Sequence, residues 1–164
     1  MYTKGDAVVY PMHGAGIIED LAEQNIDGAL RSYYVLRIPI GGSKIMLAMD
    51  SVDDCNMRRI LPPNDIADLI GGLAELPLPP VSANWSQRYK DNLAMMKSGR
   101  LADTAVVFRS LYSREKQRGL SSVEKKMLTT VKKILLTEIM LSYNIDRLEA
   151  EQILDKSVSD CCKP

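Results

Sequence analysis

The segment Leu76-Pro77-Leu78-Pro79-Pro80 divides the 164-residue chain into two runs of different pattern. Its prolines fix φ and remove backbone donors, so it is neither helix interior nor central strand. It reads as an extended connector. Before it the apolar residues come in short β-prone runs. After it they recur at helical spacing.

Ala7-Val8-Val9-Tyr10 is a short strand stopped by Pro11, and Gly14-Ala15-Gly16 reads as a turn or bulge before Ile17-Ile18 resumes. Asn25-Ile26-Asp27-Gly28 carries hairpin chemistry. Tyr33 to Ile38 is the strongest strand, ended by Pro39, and Lys44 to Met49 follows the Gly41-Gly42-Ser43 turn. Several short strands at regular spacing predict a small barrel or strongly bent sheet.

A short helix is expected from Asp65 to Glu75, capped by Asn64 or Asp65 and weakened by Gly71-Gly72. Further helices are expected from Ser86 to Lys97 and from Leu101 to Arg118, the second stopped by Gly119. Ser121 and Glu124 have the spacing of a capping box opening a helix to Leu141. Asp146 caps a last helix to Val158, with Leu148, Ile153 and Leu154 facing inward. The fold class is therefore α+β, a small β-barrel followed by a compact all-α part. The divisions are 1–61 for the β domain, 62–81 for the short helix and connector, 82–160 for the helical domain, and 161–164 for a tail.

Formal net charge is zero, with 21 basic and 21 acidic residues, but the charges are segregated. Residues 1–70 hold 6 basic against 10 acidic, whereas residues 85–133 hold 12 basic against 4 acidic. The second block points to a polyanionic partner and the first does not. No apolar run reaches the length of a membrane span, and no secretory signal pattern opens the chain. Cys55, Cys161 and Cys162 are odd in number and form no CxxC, so neither a disulfide framework nor a zinc site is expected. A cytoplasmic protein fits best. The C-terminal Cys162-Lys163-Pro164 is not a prenylation pattern.

Catalytic signatures are absent from the sequence. His13 is the only histidine, and its neighbours Pro11 and Gly14 assign it to a turn. No phosphate loop or dinucleotide fingerprint occurs, and Gly41-Gly42-Ser43-Lys44 lies between strands. Asp50, Asp53 and Asp54 lack calcium-loop spacing. The expectation is a non-enzyme with no metal, no cofactor and no small-molecule substrate.

The only tryptophan, Trp85, lies in Asn84-Trp85-Ser86-Gln87-Arg88-Tyr89-Lys90, just ahead of a helix. Its spacing allows two readings. As a hydrophobic staple it would pin the helix start to the core. As an exposed aromatic among cations it would wedge into a base step or stack on an unpaired base. Lys97, Arg100, Arg109, Arg114, Lys116, Arg118, Lys125, Lys126, Lys132 and Lys133 extend the basic field.

Three stretches resemble the CarD/CdnL family of bacterial transcription regulators. They are Gly5 to Gly14, Asn84 to Lys90, and Arg118-Gly119-Leu120-Ser121 continuing through Glu124 to Leu128. The first is shared with the transcription-repair coupling helicase, a far longer protein. The resemblance implies a Tudor-like domain that binds the β subunit of RNA polymerase. It also implies a helical domain on promoter DNA, with Trp85 inserted from the minor groove at the upstream edge of the bubble. The DNA-facing set is then Trp85, Arg88, Tyr89, Lys90, Lys97, Arg114, Lys125, Lys126 and Lys132. The polymerase-facing set is Gln24, Ile26, Lys44, Met46 and Ala48. Gln87 departs from a position that is basic in some members, and Gln24 and Met46 stand where some members use arginines. A free architectural DNA-binding protein without polymerase contact is the alternative.

Overall fold

The computed structural model describes residues 1–159, so Cys161, Cys162 and the rest of the tail lie outside the described residues. Five strands come first: β1 (Ala7–Tyr10), β2 (Gly14–Ile26), β3 (Ala29–Arg37), β4 (Lys44–Ala48) and β5 (Arg58–Arg59). Five helices follow: α1 (Pro63–Gly71), α2 (Trp85–Lys97), α3 (Leu101–Gln117), α4 (Ser122–Tyr143) and α5 (Arg147–Ser159). None of them is long and apolar enough to cross a membrane.

The strands form one antiparallel sheet in the order β4-β3-β2-β1-β5, which is the small Tudor-like β unit expected. Short 3-10 turns at Met49–Ser51 and Asp53–Cys55 carry the chain from β4 back toward β5. Asp27 and Gly28, at φ 53° and 81°, make the two-residue hairpin turn between paired Ile26 and Ala29. Both central residues of a type I′ turn need positive φ, which an Asp-Gly pair supplies.

The glycines near residue 15 behave differently from expectation. The turn is Pro11 to His13, and Gly14 already begins β2. The irregularity in β2 comes later, between Ile18 and Asp20. Gly14 and Gly16 are packing sites. A Cβ on Gly14 would lie 2.8 Å from the Thr137 hydroxyl of α4, and one on Gly16 would lie 2.7 Å from the Arg37 carbonyl.

Helix starts and faces also depart from expectation in places. Pro62 occupies the cap of α1 and Pro63 its first turn, with no side-chain cap bond from Asn64 or Asp65. Proline suits that position because its missing N–H would be unpaired there anyway. The helix stops at Gly71, and Leu73–Glu75 is a separate 3-10 turn. In α5 the buried residues are Ala150, Leu154 and Val158, four apart, whereas Leu148 is 64% exposed. Asp146 accepts the Glu149 N–H at 2.8 Å, as its capping role requires. Helix α4 runs two residues beyond expectation and ends at Asn144 in the left-handed region.

A large cluster holds the helices together, centred on Phe108, Val131, Leu135, Ile139 and Leu154. A smaller one fills the sheet with Val8, Ile18, Tyr34, Leu36 and Ile38. Helix α4 spans both halves. Its Thr137 hydroxyl accepts the buried Ala15 N–H at 2.9 Å. Its Glu138 carboxylate is fully covered and takes the Arg58 guanidinium of β5 through two bonds, at 2.7 and 2.9 Å.

Candidate nucleic-acid interface

The start of α2 is built by local hydrogen bonds. The Asn84 side chain accepts the Ser86 N–H at 2.9 Å, and the Ser82 hydroxyl accepts the Asn84 N–H at 3.2 Å. Trp85 is therefore the first residue of α2 rather than a residue before it. It is 62% exposed, so it does not staple the helix to the core.

Arg88, one turn on, faces the protein. Its Nη1 donates to the carbonyls of Ser82 and Ala83 at 3.1 and 3.0 Å. Its Nη2 donates to Glu124 Oε1 at 3.1 Å. Arg114 of α3 reaches the other Glu124 oxygen through Nε at 3.4 Å. Glu124 thus joins α2, α3 and α4. The capping box is made only in part: the Ser121 hydroxyl accepts the Glu124 N–H at 3.3 Å, but the carboxylate turns to the two guanidiniums. The Arg88 guanidinium holds Oε1 by a charged hydrogen bond, while Oε2 lies buried near Arg114 Nε with no hydrogen-bond partner among the described residues.

The nine residues expected to face DNA do not form one surface. Trp85 shares a cleft with Ser121 and with Val123, itself 45% exposed. Val123 and Lys126 line the adjoining cleft with Tyr89. Lys90, Lys125 and Lys126 are exposed near this end of the helices. Tyr89 is half-buried and packs on the helical core. Arg88 and Arg114 belong to the support beneath Trp85. Lys97 is exposed but lies at the far end of α2, about 18 Å along the axis from Trp85 at 1.5 Å per residue. Lys132 stands 3.7 Å from Asp155 of α5. Val123 was missed from sequence because it lies inside a capping pattern and breaks no rule of composition.

The second expected surface lies on the sheet. Met46 pairs with Val35, Ala48 with Tyr33 and Lys44 with Arg37, so strand alternation places all three side chains of β4 on one face. Gln24 and Ile26 of β2 share it through Arg31 and Ala29, and Gln24 Nε2 lies 3.9 Å from Met46 Sδ. Met46 is 45% exposed, Ile26 is 39% exposed and Ala48 is half-buried. Glu19 binds Lys44 at 3.2 Å and Arg37 at 3.1 Å. These two cations, Lys44 first, hold the Glu19 carboxyl below its ordinary range. Residues 23–32 of the β2–β3 hairpin are exposed throughout and project beyond β1 and β4.

His13 lies in the Pro11–His13 turn and stacks on Tyr10 at 4.5 Å between ring centroids. His13 is exposed, and partial desolvation and then the charge of Lys133 lower its pKa from 6.5. Among the described residues no group of acidic, histidine or cysteine side chains is arranged to hold a metal ion.

Comparison with known proteins covers both parts. Residues 2–61 match the family model described as the CarD-like/TRCF RID domain. Residues 77–155 match the model described as the CarD C-terminal domain. The Bacillus subtilis (strain 168) protein named "Putative transcription factor YdeB" is 35% identical over 146 residues, covering 85% of this chain and 90% of that protein.

Proposed function

Because the chain belongs to the CarD family of transcription regulators, we propose that it stabilises the open promoter complex while bound to the β subunit of RNA polymerase. The exposed sheet face carrying Gln24, Ile26, Lys44, Met46 and Ala48 is the polymerase contact. Trp85 is the wedge at the upstream edge of the bubble, reached from the minor groove. Lys90, Lys125 and Lys126 meet the flanking phosphates without reading sequence, since such contacts position and do not specify.

The observation that carries this reading is the exposure of Trp85 on a fixed base. A large aromatic left 62% in solvent at a capped and salt-bridged helix start is presented, not buried. Unstacking a base step costs on the order of a few kcal/mol, and an inserted apolar side chain offsets part of it. A preference of about 1.4 kcal/mol for the open over the closed complex shifts their ratio roughly tenfold. Low affinity for free DNA suffices, because attachment to polymerase raises the effective concentration.

The test is promoter opening by the cognate polymerase, read from a fluorescent base in the bubble. Wild type raises the open fraction. Trp85→Ala keeps polymerase binding and loses most of that gain, whereas Met46→Glu loses binding. Equal loss of binding and opening in Trp85→Ala would end the proposed division of labour. Opening unaffected by the wild-type chain, with tight binding to naked duplex, would favour a free architectural role.

A further inference from the structure

A cavity of about 250 Å³ lies beneath the connector, between α2, α3 and α4. Val81 of the connector, Tyr89 and Met95 of α2, and Val106 and Leu111 of α3 give it an apolar lining. Arg88, Arg114 and Glu124 form its charged end. An apolar void of about 150 Å³ is enough to hold benzene. This one therefore has room for a ring with a short chain.

The charges fix the second half of the ligand. Glu124 Oε1 is paired with Arg88 Nη2 and Arg88 Nη1 is taken by two carbonyls, while Arg88 Nε and Glu124 Oε2 are buried with no hydrogen-bond partner among the described residues. Arg114 meets Glu124 only through Nε at 3.4 Å, and its two terminal nitrogens make no hydrogen bond among the described residues. Asp91 also borders the cavity, but it is exposed and accepts the Gln87 amide at 2.8 Å. The charged end thus offers donors on two guanidiniums, the buried Nε of Arg88 and the terminal nitrogens of the 28%-exposed Arg114, against one unpartnered oxygen of Glu124, all beside an apolar lining. A few polar groups converging on an apolar pocket are the usual composition of a small-ligand site.

We propose that this cavity binds a small apolar carboxylic acid, its body among Val81, Met95, Val106 and Leu111 and its carboxylate on Arg114. The site does not depend on the promoter role. It does adjoin it, because Arg88 and Glu124 also hold the helix start that presents Trp85. An occupant that stiffens this end of the connector is linked to DNA engagement, and by linkage DNA would tighten the occupant's binding equally.

The experiment is titration of the full chain, free of polymerase and DNA, with phenylbutyrate and with its neutral amide, followed by amide and methyl NMR shifts. Phenylbutyrate is expected to give saturable shifts confined to Val81, Tyr89, Met95, Val106 and Leu111. The amide binds more weakly. Arg114→Gln weakens the acid roughly tenfold, the value of one charged hydrogen bond, and leaves the amide unchanged. Val106→Phe fills the space and abolishes both, and Ser110→Leu serves the same purpose if that variant fails to fold. Absence of saturable shifts at the solubility limit overturns the proposal. So do shifts elsewhere, equal binding of acid and amide, or binding retained in the filled variants.

Discussion

Replacing Glu138 by alanine removes the carboxylate that joins sheet to helices. The side chain is fully covered. Its Oε1 accepts from Arg58 Nη1 at 2.7 Å and from the Leu61 N–H at 2.9 Å, and its Oε2 accepts from Arg58 Nη2 at 2.9 Å. Alanine therefore deletes two charge-assisted bonds and one backbone bond. It leaves Arg58, whose side chain is 24% exposed, without its counter-charge. Truncating one member of a buried ion pair costs about 3–5 kcal/mol. The lower end applies here, because Arg58 keeps the Gly99 and Arg59 carbonyls as acceptors at 2.6 and 3.0 Å and some access to water. In a chain of this length each kcal/mol lowers Tm by roughly 2–4 °C. Glu138→Ala is thus expected to melt about 6–12 °C below wild type.

Two companions make this a test of the ion pair rather than of packing alone. Glu138→Gln keeps an oxygen for the Leu61 N–H and nearly the same volume, so it loses only about 1.5–3 kcal/mol. Arg58→Met with Glu138→Leu removes both charges, and apolar replacement of a buried pair is often neutral or stabilising. The double variant should recover most of the loss. The assay is equilibrium urea unfolding by circular dichroism, with stability taken from linear extrapolation. A loss under about 1 kcal/mol in Glu138→Ala, or a double variant no better than that single one, refutes the account of this interface.

Trp85→Ala should leave stability within about 0.5 kcal/mol of wild type, since the ring is mostly in solvent, and urea unfolding checks this beside the promoter assay. Gly99→Ala forces a Cβ to 2.8 Å from the Asn56 carbonyl at a φ of +78°, so a loss of about 1–3 kcal/mol is expected in the same measurement. His13 has a folded pKa below 6.5, so the unfolded chain takes up its proton first as pH falls. Stability should therefore decline from pH 6.5 down to the folded pKa, and His13→Gln should flatten that slope in urea titrations across the window. Binding to naked duplex through Lys90, Lys125 and Lys126 should give a log–log salt slope near −2.7, at about −0.9 for each phosphate neutralised. A slope steeper than about −5 in fluorescence anisotropy would mean that the inward-facing arginines also reach phosphates.

Local chemistry made much of this fold legible. Asp27-Gly28 gave the hairpin, the aromatic and β-branched run before Pro39 gave β3, and Ser121 and Asp146 gave two helix starts. What escaped was set by distant partners. The space required at Gly14 depends on Thr137, which is 123 positions away, and no local pattern separates a packing glycine from a turn glycine. Leu148 looked inward because it is apolar, yet the buried stripe of α5 is set by what α1, α4 and the 3-10 turn after α1 present to it. The candidate site divides in the same way. Residue types located the basic block and Trp85. The inward turn of Arg88 and Arg114 was invisible because it depends on Glu124, which stands 36 positions from Arg88.

That inward turn bears on how the molecule acts. The basic block looks like a strong DNA-binding surface when its charges are counted. In the fold, Arg88 and Arg114 meet Glu124, Arg100 meets Asp103, and Lys132 meets Asp155. Lys97 is displaced to the far end of α2. The cations left near Trp85 suit weak, sequence-neutral contact, and weak contact alone would not bring the protein to promoters. A second surface resolves this. If the β4 face holds polymerase, the complex brings Trp85 to promoters, and the wedge needs only to favour unstacked over stacked DNA once there. Low intrinsic DNA affinity then becomes an advantage, because it keeps the free protein off duplex where nothing is to be opened. The arginines that turn to Glu124 also brace the helix start that carries Trp85, so under the proposed function a fixed Trp85 and modest affinity for DNA would share one structural cause.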